Sequence, residues 1–214
     1  MSEFTLFIGD KNVSSWSLRP WLAMKTTGIA FREIVMPLDR PTTAKALSQV
    51  SPSGLVPSLS GDGLVIWDSL AILEYLAETF PEKRLWPADK KARARARSIA
   101  AEMHSGFAEL RHFWPMNFSR IGLRHLCPPP VRREVDCAAR IWVETRAEFG
   151  KGGPYLFGDF SIADAMFAPV VSRFMTYGPV ELPPTAAAYR DMIFALPAMK
   201  EWGEAAAREV SEGN

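Results

Sequence analysis

The sequence predicts two parts in one chain: an α/β N-terminal domain on a mixed four-stranded sheet, in the order βαβ–ββα, and an all-α C-terminal domain. Three observations predict it. Short apolar runs alternate with helical spacing through the first 80 residues, and that alternation stops near Asp89. Between the two rhythms, Pro81–Asp89 is a short polar segment flanked by Pro81 and Pro87, the character of a linker. The expected division is therefore residues 1–80, a linker at 81–89 and residues 90–214.

Taken in order, Phe4–Ile8 reads as a buried strand, Leu18–Thr26 as a helix and Phe31–Pro37 as a second strand. A linking helix falls near Ala44–Ser48. Leu55–Ser60 and Leu64–Trp67 read as two further strands, joined by Gly61-Asp62-Gly63, whose Asp-Gly pair signals a hairpin. Leu70, Leu73, Leu76 and Phe80 then recur at helical spacing, so Ser69–Thr79 is expected to be an amphipathic helix. A strand-helix-strand unit requires a parallel pair and the hairpin an antiparallel one, so the sheet is mixed. Beyond the linker, Lys90–Leu110, Val131–Phe149, Ser161–Met175 and Pro197–Val210 read as helices, with no convincing strand among them.

Composition narrows the function classes. At 214 residues and 48% apolar, the chain can bury a substantial core without covalent staples. The formal charge is +1, with a net −2 in the first 80 residues and +3 in the rest, so nothing points to nucleic acid. Arg93, Arg95 and Arg97 spread over more than one helix face without clustered aromatics, and read as a solvated helix start. No run of eighteen apolar residues suggests a membrane span, and Met-Ser-Glu-Phe-Thr-Leu lacks the pattern of a secretory signal. Cys127 and Cys137 are too few for a disulfide framework, and three histidines make no metal cluster with them. The expectation is a cytoplasmic protein without a metal.

Three separated motifs carry the chemistry. The first is Ser14-Ser15-Trp16-Ser17-Leu18-Arg19-Pro20-Trp21, between the first strand and the first helix. The second is Ser51-Pro52-Ser53-Gly54-Leu55-Val56-Pro57, followed by Trp67-Asp68-Ser69. The third is Gly158-Asp159-Phe160-Ser161-Ile162-Ala163-Asp164. In this order and spacing they resemble the glutathione transferase superfamily over nearly the whole chain. The first looks like the serine motif of the zeta class, to which maleylacetoacetate isomerases belong, and of related bacterial transferases. The resemblance implies a thioredoxin-like N-terminal domain, glutathione as cosubstrate and a homodimer.

The chemistry of the first motif stands on its own. An ordinary thiol titrates near about 8.5, so little of it is thiolate at neutral pH. A hydroxyl donating to sulfur favours the anion, as do the positive end of a helix and its free N–H groups. Lowering the pKa by roughly two units needs about 2.7 kcal/mol of differential stabilisation, a plausible sum for these effects. By resemblance Ser14 is the thiolate partner and Ser15 the alternative; Ser17 reads as a local structural residue, and any of the three could simply cap the helix. No tyrosine precedes Tyr75 and no cysteine precedes Cys127, so the tyrosine and cysteine mechanisms of the superfamily have no residue to use. Trp16 stands where the zeta motif has cysteine. It can cover the sulfur or the second substrate, or pack on the helix start.

In the second motif the resemblance makes Pro57 cis and turns the Val56 backbone toward the cysteinyl part of glutathione, like an added strand. It gives Ser69 the γ-glutamyl carboxylate and Asp68 the amine, at a helix start whose unpaired N–H groups suit an anion. Leu55 stands where relatives often have a basic residue, leaving Lys45 and Arg40 as candidates for the glycyl carboxylate. The third motif reads as a structural capping box, Ser161 with Asp164. For the electrophile, Met103, Phe107 and Arg111 recur at spacing four on one helix face, with an interhelical core as the equal alternative. Apolar side chains with one cation suit a hydrophobic or carboxylated electrophile. Arg173 lies one turn before the position of a zeta-class substrate arginine, and His104 and His112 read as surface or packing residues. The expected activity is conjugation of glutathione. Glutathione-dependent isomerisation or peroxide reduction is the enzymatic alternative, and a non-catalytic binding module the alternative of another class.

Overall fold

The structure, a computed structural model, describes residues 4–213. The termini of the expected division, 1–3 and 214, lie outside the described residues. The sheet has the order β2-β1-β3-β4. β1 (Phe4–Ile8) pairs in parallel with β2 (Phe31–Val35) and antiparallel with β3 (Ser58–Gly61), and β3 pairs antiparallel with β4 (Leu64–Trp67). The β3–β4 turn holds Asp62 at φ 52 and Gly63 at φ 77, the two left-handed positions that a two-residue hairpin demands. Around the sheet lie α1 (Ser15–Thr27), α2 (Thr43–Val50) and α3 (Ser69–Thr79).

The boundaries that differ from expectation have local causes. Helix α1 begins three residues earlier than the apolar pattern, because Ser15 and Ser17 are as buried as Leu18. β2 stops at Val35, short of Pro37. β3 starts only at Ser58, so Leu55, Val56 and Pro57 stand outside the ladder.

In the helical part, the single helix expected over Lys90–Leu110 is two: α4 (Lys90–Ser105) and α5 (Ala108–Phe113). At Gly106 a Cβ would stand 2.8 Å from the Glu102 carbonyl, and Phe107 then adopts left-handed angles, φ 59 and ψ 39. Arg111 seals the break by donating to the carbonyls of Gly106 (3.1 Å) and Met103 (2.6 Å) at the end of α4. Met103, Phe107 and Arg111 therefore do not line one face of one helix. The remaining helices are α6 (Pro129–Phe149), α7 (Ile162–Thr176), α8 (Pro184–Phe194), which the sequence reading passed over, and α9 (Pro197–Ser211). Among the described residues this half holds no strand, only two isolated bridges near Tyr155–Asp159. No helix among them is long and apolar enough to cross a membrane.

One apolar core runs through both halves, from Leu6, Ile8 and Leu22 to Ile99, Met103 and Phe167. Its centre is the packing of α1 against α7. The capping box at the start of α7 anchors that centre. The Asp164 carboxylate accepts the Ser161 N–H and hydroxyl (both 2.9 Å), the Leu156 N–H (3.1 Å) and the Tyr189 hydroxyl (3.0 Å). Burial nonetheless pushes this carboxyl up to about 6, against the pull of those hydrogen bonds.

Two outcomes are expected. Asp164→Ala strands four buried donors at roughly 1–3 kcal/mol each, so its urea midpoint should fall sharply. The native carboxyl holds its proton to higher pH than the unfolded chain does. Its stabilising share, about 3 kcal/mol, is full below about pH 4 and lost as pH rises through 6. Urea midpoints across that range should fall more steeply in the parent protein than in Asp164→Asn.

Candidate active site

Four segments meet around one cavity of about 470 Å³, ordinary for a small-molecule site. Its walls are Trp16 of α1, Ser53 to Pro57 before β3 (Gly54 excepted), Trp67 at the end of β4, and Asp68 and Ser69 opening α3. The Val56–Pro57 peptide bond is cis. The N–H and C=O of Val56 make no hydrogen bond among the described residues, so a short open edge faces the cavity beside β3. Leu55 projects outward, two-thirds exposed.

The α3 start is built tightly. Asp68 sits at φ 73, a conformation that a non-glycine residue adopts only when its surroundings impose it. One carboxylate oxygen accepts the N–H groups of Leu70 (2.9 Å) and Ala71 (3.2 Å), capping the helix. The other lies 3.3 Å from His104 Nε2, reaching across from α4. Burial above all lowers the His104 pKa; Asp68 pulls it up, and Arg19 and Arg111 push it further down. The imidazole is thus largely neutral at pH 7, and it faces Asp68 as a polar neighbour and not as a cation. Ser69 is fully buried, and its Oγ accepts from Arg19 Nη1 at 3.1 Å. That leaves the hydroxyl proton of Ser69 for another acceptor.

Trp16 is the hub. The Arg19 guanidinium lies 4.1 Å and that of Arg111 4.9 Å from its ring centre, and His104 meets it edge-on at 5.1 Å. Arg19 is wholly buried, and its Nε and Nη2 meet no acceptor among the described residues. Burial, then Arg111 and Arg173, hold its pKa well below the ordinary arginine value, with Asp68 opposing. Arg173 is buried too and donates to the carbonyls of Trp114 (2.8 Å) and Pro169 (3.0 Å).

The serines stand at the head of α1. Ser14 is the N-cap residue, but its side chain does not cap; it donates to Ser17 Oγ at 2.7 Å, which also accepts the Gly9 N–H at 3.1 Å. No protein group among the described residues meets the Ser15 hydroxyl. Both serines are 6% exposed, and Trp16, not they, forms the cavity wall.

Of the residues singled out from sequence, the structure gathers Trp16, Val56, Pro57, Asp68 and Ser69 at one cavity and sets Ser14 and Ser15 at the adjoining helix start. Met103 and Phe107 lie in the core, Phe107 against Phe167, and neither forms the wall. Arg111 is not part of the wall; it reaches the cluster over Trp16 and through the His104 carbonyl, to which it donates at 3.4 Å. Arg40 borders a separate small cavity and Lys45 is exposed, away from these walls. Arg19 has a signal in the sequence: its place three residues after Trp16 puts both on one helix face. His104 offered no signal, since its partner Asp68 lies in the other half of the chain.

The arrangement is a thioredoxin-like sheet carrying an open backbone edge and a capped helix start, closed over by a helical domain. Comparison with known proteins agrees. Residues 13–79 match the model of the glutathione S-transferase N-terminal domain, and residues 129–202 that of the C-terminal domain. The chain belongs to the glutathione S-transferase family. It is similar to maleylacetoacetate isomerase of Rattus norvegicus, 31% identical over 166 residues, covering 74% of this chain and 72% of that protein. It is also similar to a stringent starvation protein A homolog of Coxiella burnetii, 27% identical over 203 residues, covering 93% and 90%. In fold it matches a glutathione transferase homolog from Burkholderia GL BGR1 solved with bound glutathione, with a TM-score of 0.71, 23% identity and coverage of 96% and 98%.

The burial of Arg19 has a measurable consequence. Its charge has two like-charged neighbours and two donors without acceptors, so Arg19→Met should raise the urea midpoint, by the equivalent of ~1–2 kcal/mol. Arg19→Ala should lower it, by opening a hole beneath Trp16. A fall in the methionine variant would mean that the Ser69 bond outweighs the cost of the buried charge.

Proposed function

We propose that this protein is a serine-type glutathione transferase that stabilises the glutathione thiolate and conjugates it to an electrophilic, hydrophobic or carboxylated small molecule. In this reading residues 1–80 are the glutathione-binding domain, 81–89 the linker, and 90–214 the domain that closes over the electrophile. The observation that carries it is the unpaired Val56 backbone edge facing the α3 start across one cavity. An extended tripeptide can pair with that edge while its γ-glutamyl end reaches Ser69, whose proton is free, and Asp68. That pose directs the thiol toward the head of α1, where no side chain caps the free N–H groups.

Ser14 takes the donor role. Its hydroxyl now donates to Ser17, a neutral acceptor; a thiolate is a charged one and competes well for the proton. Ser15, with no partner, is the alternative. Conjugation forms a carbon–sulfur bond, and the electrophile's leaving group departs with its electron pair, or in an addition a carbon takes up a proton. The protein supplies proximity and charge stabilisation. The same reading carries a cytoplasmic, detoxifying homodimer, for which the exposed Leu64, Val65 and Trp67 of the β4 edge offer apolar surface.

Two other readings each have an observation behind them. The guanidiniums of Arg19, Arg111 and Arg173, with Arg111 adding to burial in lowering the other two, favour a carboxylated electrophile and isomerisation, as the name of the Rattus norvegicus relative suggests. The nearly full-length likeness to a stringent starvation protein A homolog, a name that specifies no reaction, favours a binding module. Retention on glutathione-agarose followed by a chlorodinitrobenzene assay separates them, since the module predicts no turnover. Ser14→Ala is expected to raise the pKa of the bound thiol by about one to two units, roughly 1.4–2.7 kcal/mol, read from the pH dependence of kcat/KM. The same shift in Ser15→Ala, with Ser14→Ala silent, would transfer the role to Ser15.

A further inference from the structure

The turn leading into α1 cannot satisfy its own backbone, and the last helix of the chain does it instead. Within the turn, the Asp10 carbonyl accepts the N–H groups of Val13 (3.2 Å) and Ser14 (2.8 Å). Lys11 and Asn12, at its tip, have no such partner. The Glu209 carboxylate of α9 accepts both their amides, Lys11 N–H at 2.9 Å and Asn12 N–H at 3.0 Å, one on each oxygen. From one turn and more earlier on α9, Trp202 Nε1 donates to the Lys11 carbonyl at 2.7 Å. The Asn12 carbonyl and side-chain oxygen are taken by the N–H groups of Phe118 (3.0 Å) and Ser119 (2.9 Å). The Lys11 ammonium is occupied elsewhere, pairing with Glu33 at 2.5 Å between the rings of Trp21 and Trp202. It does not neutralise Glu209, whose charge is met by the two amides.

We propose that Glu209 is a positioning residue for the thiolate donor at the head of α1. A carboxylate that accepts two successive amides ties two adjacent peptide planes to one rigid group, and charge-assisted bonds of this kind are the stronger ones. The clamp lies two residues before Ser14, with only Val13 between them. A hydroxyl that must point at sulfur loses its hydrogen bond steeply with angle, so freedom at residues 11–13 translates into lost thiolate. Glu209 itself touches no wall of the cavity. The inference rests on the serine reading above, and the controls are chosen to separate the two.

The test compares Glu209→Ala, Glu209→Gln and Ser14→Ala in the full chain, measuring kcat/KM against pH with chlorodinitrobenzene, the KM for glutathione, and urea midpoints. Glu209→Ala is expected to raise the thiol pKa by about one unit, about a tenfold loss of thiolate on the acid side of the profile and about threefold at pH 7, with the glutathione KM little changed. Glu209→Gln, which keeps one acceptor, should fall between. A midpoint that drops with no change in the pH profile overturns the proposal and makes Glu209 a fold contact only. So does a loss confined to the glutathione KM. If Ser14→Ala shifts the profile and Glu209→Ala does not, the Glu209 proposal fails alone. If Glu209→Ala shifts it and Ser14→Ala does not, the Ser14 assignment fails and the clamp acts on another donor of the same helix start. Glu209→Ala added to Ser14→Ala should shift the profile no further; full additivity would also overturn the positioning role.

Discussion

Helix α1 is buried on both faces, and the rest of the molecule is arranged around that constraint. From Ser17 to Met24 every residue is buried, with the sheet on one side and α7 on the other. A helix buried all round has no solvent face to relax into, so its position is set by two partners at once. Its first turn is therefore a fixed object at the meeting of the two domains. The side chains around Trp16 come from both: Arg19 from α1 itself, His104 and Arg111 from the helical half. A site built this way exists only when both halves are folded and docked.

The charges gathered there follow from the same burial. Burial, and then Arg111, lowers the pKa of both Arg19 and Arg173, His104 is largely neutral, and the nearby carboxylate of Asp68 has one oxygen committed to capping α3. In a region of low dielectric such an imbalance is not screened as it would be in water. It favours any anion at the cavity, whether thiolate or carboxylate. The uncapped N–H groups of α1 add to that field with the same sign.

What could be read from the sequence was what local patterns encode. Phe4–Ile8, Leu64–Trp67 and Ser69–Thr79 have the expected bounds, because alternation, the Asp-Gly turn and 3.6-residue spacing each act over a few residues. The Val56–Pro57 and Asp68–Ser69 pairs lie on one cavity as the motifs implied. The long helix at Lys90–Leu110 failed at Gly106, where helical periodicity continues through Phe107 and Arg111 although the backbone does not. Helix α8 opens at Pro184, where no N–H is needed, and a Pro-Pro pair on its own marks a loop as readily as a helix start. Arg19–Ser69, Asp68–His104 and Glu209–Asn12 are long-range pairs, the last 197 residues apart, and no single-sequence pattern encodes them.

These long-range pairs bear on how the proposed thiolate donor, a serine whose proton is already engaged, would be released. Ser17 Oγ receives two donors, the Gly9 N–H and the Ser14 hydroxyl, and one of them suffices to satisfy it in the core. Releasing Ser14 therefore costs one neutral hydrogen bond, about 1 kcal/mol net, while a bond to an anion is worth about 1.5–3 kcal/mol. The balance favours the switch only if the hydroxyl can reach the sulfur by rotating about its own side-chain bond, without moving the backbone. Glu209, Trp202 and the Phe118–Ser119 segment hold that backbone from one side, and the packing of α1 holds it from the other. What remains free at the head of α1 is the hydroxyl rotor, which is the degree of freedom a preorganised donor requires.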